Sequence, residues 1–158
     1  MASVLGQENA YSLKGEGADF GCGYGYISAQ ILRQSHYDIK KLSLIDHDIR
    51  ALNAAAKNVG QAQGVTIDLL WRDITAMDDL KGQLDFVVMN PPFHEGKKGI
   101  PDLGLKFIER ACESLHKKGA LYMVANCHLP YEATLQQCFA KVEEIARRDG
   151  FKIIRGTK

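Results

Sequence analysis

The stretch that most constrains the fold is an apolar run over residues 84–89 that ends at Asn90-Pro91-Pro92-Phe93. The run is long enough for a buried strand and too short for a helix of its own. The two prolines lack a backbone N–H and have a fixed φ, so neither a strand nor a helix continues through them. The residue before a proline is held extended. The sequence therefore predicts a stiff Asn90 at the carboxyl end of a buried strand.

Asn90 and Phe93 suit the binding of a flat group that carries an amine. The Asn90 amide oxygen accepts a hydrogen bond from an NH2 group, and Phe93 offers a face for stacking. On its own, an Asn-Pro-Pro-Phe sequence more often marks a strand that ends in a proline-rich turn. The interpretation as a binding site therefore depends on motifs elsewhere in the chain.

The composition is that of a globular domain. The chain has 158 residues, of which 46% are hydrophobic and 25% charged, and its net charge of +1 does not indicate a nucleic-acid or membrane partner. Its four cysteines show no metal-ligand spacing, which favours a reduced, cytoplasmic protein without a metal. No apolar run is long enough to span a bilayer. We expect one domain over residues 1–158, with a loosely ordered segment over residues 1–16.

A glycine-rich turn follows the first predicted strand. Gly21, Gly23 and Gly25 lie between a short strand over residues 17–20 and a predicted helix. This order is typical of nucleotide-binding loops, in which glycines adopt positive φ and let a ligand approach the backbone. No Gly-Lys-Ser/Thr follows, which excludes a Walker loop, and the spacing differs from the dinucleotide fingerprint. Asp19 at the strand end would repel a pyrophosphate and favours a cationic or amine-bearing ligand.

Two further acids follow the next two predicted strands. Asp46 has the position at which an α/β nucleotide site places a carboxylate for the ribose hydroxyls. Asp73 follows the third strand and is placed to accept a hydrogen bond from an adenine amino group. Each acid alone is more often a helix cap or a solvated charge. Together with Asp19 they indicate a ligand site, because open α/β sheets bind ligands at the carboxyl ends of their strands.

The remaining pattern alternates strands and helices. The expected strands are 17–20, 41–45, 64–70, 84–89, 120–125, 142–146 and 151–154, and the expected helices are 26–33, 49–59, 103–116 and 135–139, with a helical turn near 75–80. We expect Asp48 to cap the second helix and Lys117-Lys118-Gly119 to end the third. The order β-α-β-α-β-β-α-β-α-β-β predicts an α/β, doubly wound, mostly parallel sheet with an antiparallel C-terminal edge strand.

In their order and spacing these motifs resemble those of Rossmann-like methyltransferases that use S-adenosylmethionine. The resemblance covers residues 17–155 and includes the glycine loop, Asp46, Asp73 and the Asn90 motif. The Asn90 motif and residues 124–132 resemble the small-domain group, which includes ribosomal RNA guanine-N2 methyltransferases. The resemblance implies S-adenosyl-L-methionine as cofactor, ribosomal RNA or a ribosomal subunit as partner, and methylation of a guanine N2 amine.

The resemblance also implies a role for each motif residue. Asp19, Gly21, Gly23 and Gly25 would line the methionine part of the cofactor, Asp46 the ribose, Asp73 the adenine amine, and Asn90, Pro91, Pro92 and Phe93 the target base. The implied chemistry is a direct displacement in which Asn90 and the Pro91 carbonyl hold the amine. Catalysis would be mainly positioning, with the guanine unpaired or flipped out of its helix.

The chain departs from the family pattern in two respects. The family usually has a substantial segment before the glycine loop, whereas 16 residues precede Gly17 here. We therefore expect a compact or partial version, or one that another chain completes. The near-neutral charge is also low for an RNA-binding protein. Candidates for contact with the RNA backbone are Lys97, Lys98, Lys117, Lys118, Arg147 and Arg148.

Two alternative functions remain open at the level of sequence. A similar Asn-Pro-Pro loop holds the amide in enzymes that methylate a protein glutamine, although those usually have Tyr at the position of Phe93. A methyltransferase fold that has lost its activity and acts as a binding module is the second alternative. The intact set of Asp19, Asp46, Asp73 and Asn90 favours an enzyme.

Overall fold

A seven-stranded sheet forms the centre of the computed structural model, which describes residues 13–34, 37–92 and 101–158. The strands are β1 (Lys14–Phe20), β2 (Asp38–Asp46), β3 (Thr66–Trp71), β4 (Leu84–Met89), β5 (Leu115–Asn126), β6 (Lys141–Arg148) and β7 (Phe151–Thr157). Their order across the sheet is β3-β2-β1-β4-β5-β7-β6. Strands β1 to β5 are parallel, and β7 is antiparallel to both of its neighbours. The predicted doubly wound sheet with an antiparallel C-terminal edge is confirmed.

The helices of the described residues are α1 (Tyr26–Leu32), α2 (Ile49–Val59), α3 (Pro101–Ser114) and α4 (Glu132–Cys138). The order of strands and helices is the predicted one. Asp48 caps α2 as expected, because its side chain accepts a hydrogen bond of 2.8 Å from the N–H of Arg50. No helix in the described part of the chain is both long enough and apolar enough to cross a membrane.

The central strands are buried on both faces, as β4 illustrates. Val87 and Met89 pack in a cluster with residues of α3 and α4. Phe86 and Val88, which alternate with them, pack in a second cluster with residues of α1 and α2. Successive side chains of a strand point to opposite faces, so the continuous apolar run of β4 supplies both layers.

The predicted end of the third helix is wrong. We expected Lys117-Lys118-Gly119 to end it, but α3 ends at Ser114 and β5 begins at Leu115, which lies beside Leu84 of β4. Lys118 lies within β5 with a left-handed φ of 71°. The basic residues and the glycine are a local signal of a helix end. Here the pairing of β5 with β4 outweighs that signal.

Other element boundaries also differ from the expected ones. Strand β1 begins at Lys14, three residues earlier than predicted, so the segment expected to be loose over residues 1–16 ends in strand; residues 1–12 lie outside the described residues. The region from Thr75 to Leu80 forms turns instead of a helical turn. The predicted hairpin at Asp149-Gly150 is confirmed, and both residues have the positive φ (52° and 79°) that a two-residue type I′ turn requires.

Candidate functional site

The carboxyl ends of β1, β2 and β4 meet where the order of the strands reverses. Phe20, the last residue of β1, lies beside Met89 of β4, and the residues that follow them are Gly21 and Asn90. Asp46 ends β2 on the other side of β1. Neighbouring strands are about 4.8 Å apart, so Asp46, Gly21 and Asn90 form a row about 10 Å long. Ligands of open α/β sheets bind at such a switch point.

The glycine loop after β1 has the backbone conformation that the sequence predicts. Gly21, Gly23 and Gly25 have φ values of 68°, 54° and 80°. At Gly25 a Cβ would lie 2.9 Å from the Cβ of Ala55, so the approach of the loop to α2 requires glycine. At Gly23 no atom of the described residues lies within 4 Å of the position of a Cβ. The backbone at Gly23 is therefore open to a ligand.

Asp19 is a buried carboxylate with one unsatisfied oxygen. Its Oδ2 accepts a hydrogen bond of 2.6 Å from the Ser28 hydroxyl of α1, whereas Oδ1 is buried without a partner in the described structure. Burial raises the pKa of Asp19 from 3.8 to about 6, against the lowering effect of the Ser28 hydrogen bond. A buried acceptor without a partner is costly, and a cationic or N–H-bearing ligand would satisfy it.

Asp46 is held rigidly at the end of β2. Its Oδ2 accepts a hydrogen bond of 2.9 Å from the N–H of Gly23, and its Oδ1 accepts one of 2.9 Å from the N–H of Asp48. Its Oδ1 also lies 3.4 Å from Nδ1 of His47, and the lone pairs that these contacts leave are available to a ligand. The same carboxylate therefore fixes the glycine loop and offers acceptors to a pair of hydroxyl groups.

Asp73 is exposed in the loop after β3. Its Oδ1 accepts hydrogen bonds from the backbone N–H (2.8 Å) and the hydroxyl (2.7 Å) of Thr75. These bonds hold the pKa of Asp73 below its ordinary value. The turn thus orients the carboxylate and keeps it ionised, and it leaves Oδ2 to a ligand.

A cavity of about 230 Å³ lies between the loops after β1, β2 and β3 and helix α3. It is lined by Gly21, Asp46, His47, Arg72, Asp73, Ile74, Thr75, Pro92, Leu103 and Phe107. Of the predicted site residues it gathers Gly21, Asp46, Asp73 and Pro92, whereas Asp19, Gly23, Gly25, Asn90 and Pro91 do not line it. Phe93 lies outside the described residues. The cavity joins a polar wall of carboxylates to an apolar wall from α3.

The Asn-Pro-Pro segment stands beside this cavity. Strand β4 ends at Met89, as predicted, and Asn90 is exposed directly after it. Pro91 is buried and Pro92 is half-buried against the cavity. The prolines thus anchor the segment while the Asn90 amide faces outward at the switch point.

The profile of the methyltransferase small domain family matches residues 2–155. The chain belongs to this family. The resemblance that the sequence motifs indicate is therefore confirmed.

Named relatives within the methyltransferase small domain family are longer than this chain. It is 31% identical over 158 residues to the ribosomal RNA small subunit methyltransferase C of Shewanella amazonensis, and 34% identical over 142 residues to that of Citrobacter koseri. The alignments cover 100% and 90% of this chain but only 45% and 40% of those proteins. The chain thus spans less than half the length of these relatives.

The fold of this member of the methyltransferase small domain family is similar to that of a solved structure. That structure is the T. thermophilus 16S rRNA N2 G1207 methyltransferase (RsmC) in complex with AdoMet and guanosine, with a TM-score of 0.76 and 24% sequence identity. The similarity covers 92% of this chain and 38% of that one. It supports the Rossmann-like architecture.

A second loop at the same edge is fixed by a buried lysine of β7. Lys152 is 2% exposed, and its Nζ donates hydrogen bonds to the backbone carbonyls of Cys127 (3.3 Å) and Leu129 (3.0 Å). A third hydrogen bond goes to the carboxylate of Glu132. All three N–H donors of the ammonium group are therefore used. They hold the loop after β5 at the carboxyl edge of the sheet, where the neighbouring strand β4 also ends.

Sequence reasoning missed several residues of the site. Arg72 and Thr75 line the cavity, and Ser28 donates to Asp19, but no motif marks them. Leu103 and Phe107 of α3 also line the cavity. Their i, i+4 spacing places them on one helix face and is a signal that the sequence contains.

Proposed function

We propose that this chain is an S-adenosyl-L-methionine-dependent methyltransferase domain that methylates the exocyclic N2 amine of a guanine in ribosomal RNA. The observation that carries the proposal is the row of Asp46, Gly21 and Asn90 at the switch point of the sheet, with the unsatisfied Asp19 carboxylate behind it. Membership of the methyltransferase small domain family and the names of the relatives support it. The free cysteines agree with a cytoplasmic location.

The residues present fit the proposed cofactor. Asp19 is buried behind the glycine loop, where its unsatisfied Oδ1 would favour the positively charged methionine part, and the backbone at Gly23 leaves room for a ligand. Asp46 offers its remaining lone pairs to the ribose hydroxyls, and Asp73 accepts from the adenine amine. The cavity between these loops has an apolar wall at Phe107 for the base. S-adenosylmethionine, when bound, supplies an electrophilic methyl group.

The Asn-Pro-Pro segment is proposed to hold the target amine. The side-chain oxygen of Asn90 and the backbone carbonyl of Pro91 each accept one N–H of the guanine N2 amine, which fixes the direction of the nitrogen lone pair. Burial of Pro91 makes the segment stiff, so this geometry exists before the substrate binds. Phe93 retains its predicted role of stacking on the base. The guanine reaches the segment only when it is unpaired or flipped out.

The proposal is tested by methyl transfer to ribosomal RNA with Asn90→Ala. We expect a loss of about 100-fold or more in kcat, because a positioning interaction is removed, with the Kd for S-adenosylmethionine little changed. Asn53→Ala, which removes the same side chain from an exposed position of α2, is the matched control and should retain activity. Asp46→Ala should show the opposite pattern, with at least tenfold weaker cofactor binding by calorimetry.

Product analysis decides the substrate. The methylated nucleoside should be N2-methylguanosine, and a glutamine-bearing peptide should remain unmodified. Full activity of Asn90→Ala would refute the assigned mechanism. Methylation of the peptide instead of RNA would refute the assigned substrate. A folded chain that binds no S-adenosylmethionine would refute the enzyme assignment itself.

A further inference from the structure

A second cavity lies at the opposite edge of the sheet, where the parallel strands begin. Its volume is about 360 Å³. We call it the amino-edge cavity, and it is lined by Lys14, Asp85, Phe86, His116, Lys117, Lys118, Ala120, Tyr122 and Arg155. A strand of six or seven residues is about 20 Å long, so this cavity is well separated from the Asn-Pro-Pro segment. The proposed methyl transfer uses none of its residues.

The amino-edge cavity has an excess of positive charge. Lys14, Lys117, Lys118 and Arg155 are cationic, against a single carboxylate, Asp85, among its lining residues. In the described ranges the three lysines of the cavity lie within 4.0 Å of no carboxylate, whereas other lysines of the chain form ion pairs. Arg155 contacts Glu143 at 3.2 Å and lies over the Tyr122 ring at 5.9 Å. Like charges that line one cavity repel one another, and an anion bound between them would relieve this repulsion.

Asp85 supplies one negative charge against three lysines, and both of its oxygens are engaged with other groups. Its Oδ1 lies 2.6 Å from Nε2 of His116, and its Oδ2 accepts a hydrogen bond of 2.8 Å from the N–H of Glu16. The hydrogen bond to Asp85 raises the pKa of His116, which favours the charged imidazolium. One carboxylate, engaged with His116, therefore stands against three lysines, and an external anion would balance the remaining positive charge.

The backbone at Lys118 adds a second, independent observation. Lys118 has a φ of 71°, although a glycine follows it directly. For a residue with a Cβ this conformation costs about 1–2 kcal/mol. The hydrogen bond of 3.0 Å from its N–H to the carbonyl of Lys158 holds it there. Lys118 lies in the irregular stretch of β5 between Leu115 and Ala120, where the pairing with β4 shifts register, and this conformation places it on the cavity rim.

We propose that the amino-edge cavity binds a phosphate group of the RNA backbone, remote from the base that is methylated. The inference rests on the proposed function, because RNA is the polyanion which that function brings to the protein. Lysine binds phosphate as a mobile point charge, and the exposed Lys14, Lys117 and Lys118 surround the cavity from two strands. A local cluster also explains how a chain with a net charge of only +1 would hold RNA.

The test is the salt dependence of RNA binding by the full chain. The variant Lys117→Gln/Lys118→Asn removes two charges, and asparagine tolerates the left-handed backbone at position 118. We expect the slope of log K against log salt for a labelled ribosomal RNA fragment to fall in magnitude by about 0.7, since each neutralised phosphate contributes about 0.7 on single-stranded RNA. The matched control, Lys57→Gln/Lys40→Asn, removes two exposed lysines from outside the cavity and should keep the wild-type slope.

Equal slopes for the two variants would overturn the inference. A second pair of results would also overturn it: inorganic phosphate perturbs the NMR signals of the cavity, but the Lys117→Gln/Lys118→Asn variant binds RNA as the wild type does. The cavity would then be a site for a small anion. The measurement needs no methyl donor, so it is independent of catalysis. Cavity-dependent RNA binding without methyl transfer would refute only the proposed function. Methyl transfer with equal slopes would refute only the phosphate site.

Discussion

The buried Asp19 carboxylate is expected to lower the free energy of unfolding, although it favours binding of the proposed cofactor. Its pKa rises from 3.8 to about 6 on folding, mainly through burial. At pH 8 the ionised form therefore costs about 3 kcal/mol of folding free energy, at about 1.36 kcal/mol for each pH unit. Asp19→Asn removes this cost. The new amide NH2 replaces the unsatisfied Oδ1 and itself lacks a partner, which costs about 1 kcal/mol. The net expectation at pH 8 is a gain of about 2 kcal/mol in the free energy of unfolding.

The pH dependence gives the sign of this effect. Because the pKa of Asp19 is higher in the folded state, folding favours the protonated carboxyl group. The stabilisation from this protonated form is complete below about pH 3.8 and is lost as the pH rises through about 6. The advantage of Asp19→Asn should therefore be about 1.4 kcal/mol smaller at pH 5 than at pH 8. Urea unfolding at the two pH values, followed by circular dichroism, measures it.

The same variant should bind the proposed cofactor at least tenfold more weakly in calorimetry, because the negative charge proposed to favour its positive methionine part has been lost. The matched control is Asp78→Asn, an exposed carboxylate whose replacement should change stability by less than about 0.5 kcal/mol. An Asp19→Asn protein no more stable than the wild type at pH 8 would refute the reasoning, and so would an advantage independent of pH.

Two further substitutions test the scaffold of the site. Lys152→Met should lower the free energy of unfolding, measured in urea, by about 2–3 kcal/mol, because the carbonyls of Cys127 and Leu129 lose their buried donor. Because the loop after β5 is then no longer held, the KM for RNA should also rise, while the Kd for the cofactor stays unchanged. An unchanged KM for RNA would contradict the inference that Lys152 positions the loop after β5 for RNA binding. Gly25→Ala should lower stability by about 2 kcal/mol in thermal unfolding, because φ is 80° and the new Cβ would meet Ala55 at 2.9 Å. Wild-type stability would contradict it.

Features that depend on the backbone preferences of a few adjacent residues were predictable from the sequence. The two prolines end β4 at Met89, Asp48 caps α2, and the loop at Asp149-Gly150 turns β6 into β7. The alternation of strands and helices then predicted the doubly wound sheet. The site's location followed, because the carboxyl ends of parallel strands lie at one edge.

Boundaries that depend on distant partners were not predictable in this way. Strand β1 begins at Lys14 because its backbone pairs with that of β2 at Asp38. Helix α3 ends at Ser114 because Leu115 pairs with Leu84. Hydrogen bonds between segments far apart in sequence leave no local pattern, so propensity alone places these ends several residues away.

The chain by itself determined which side chains are available for chemistry: the acids at the strand ends, the loop glycines and the Asn90 amide. Only the tertiary structure decided their state. Asp19 has an unsatisfied oxygen because β1 is central in the sheet and Ser28 reaches only one side of the carboxylate. Lys117 and Lys118 of β5 share a cavity with Lys14 of β1 because only one strand, β4, lies between β5 and β1 in the sheet. Burial, pairing and pKa are properties of neighbours in space, and those neighbours exist only once the sheet has assembled.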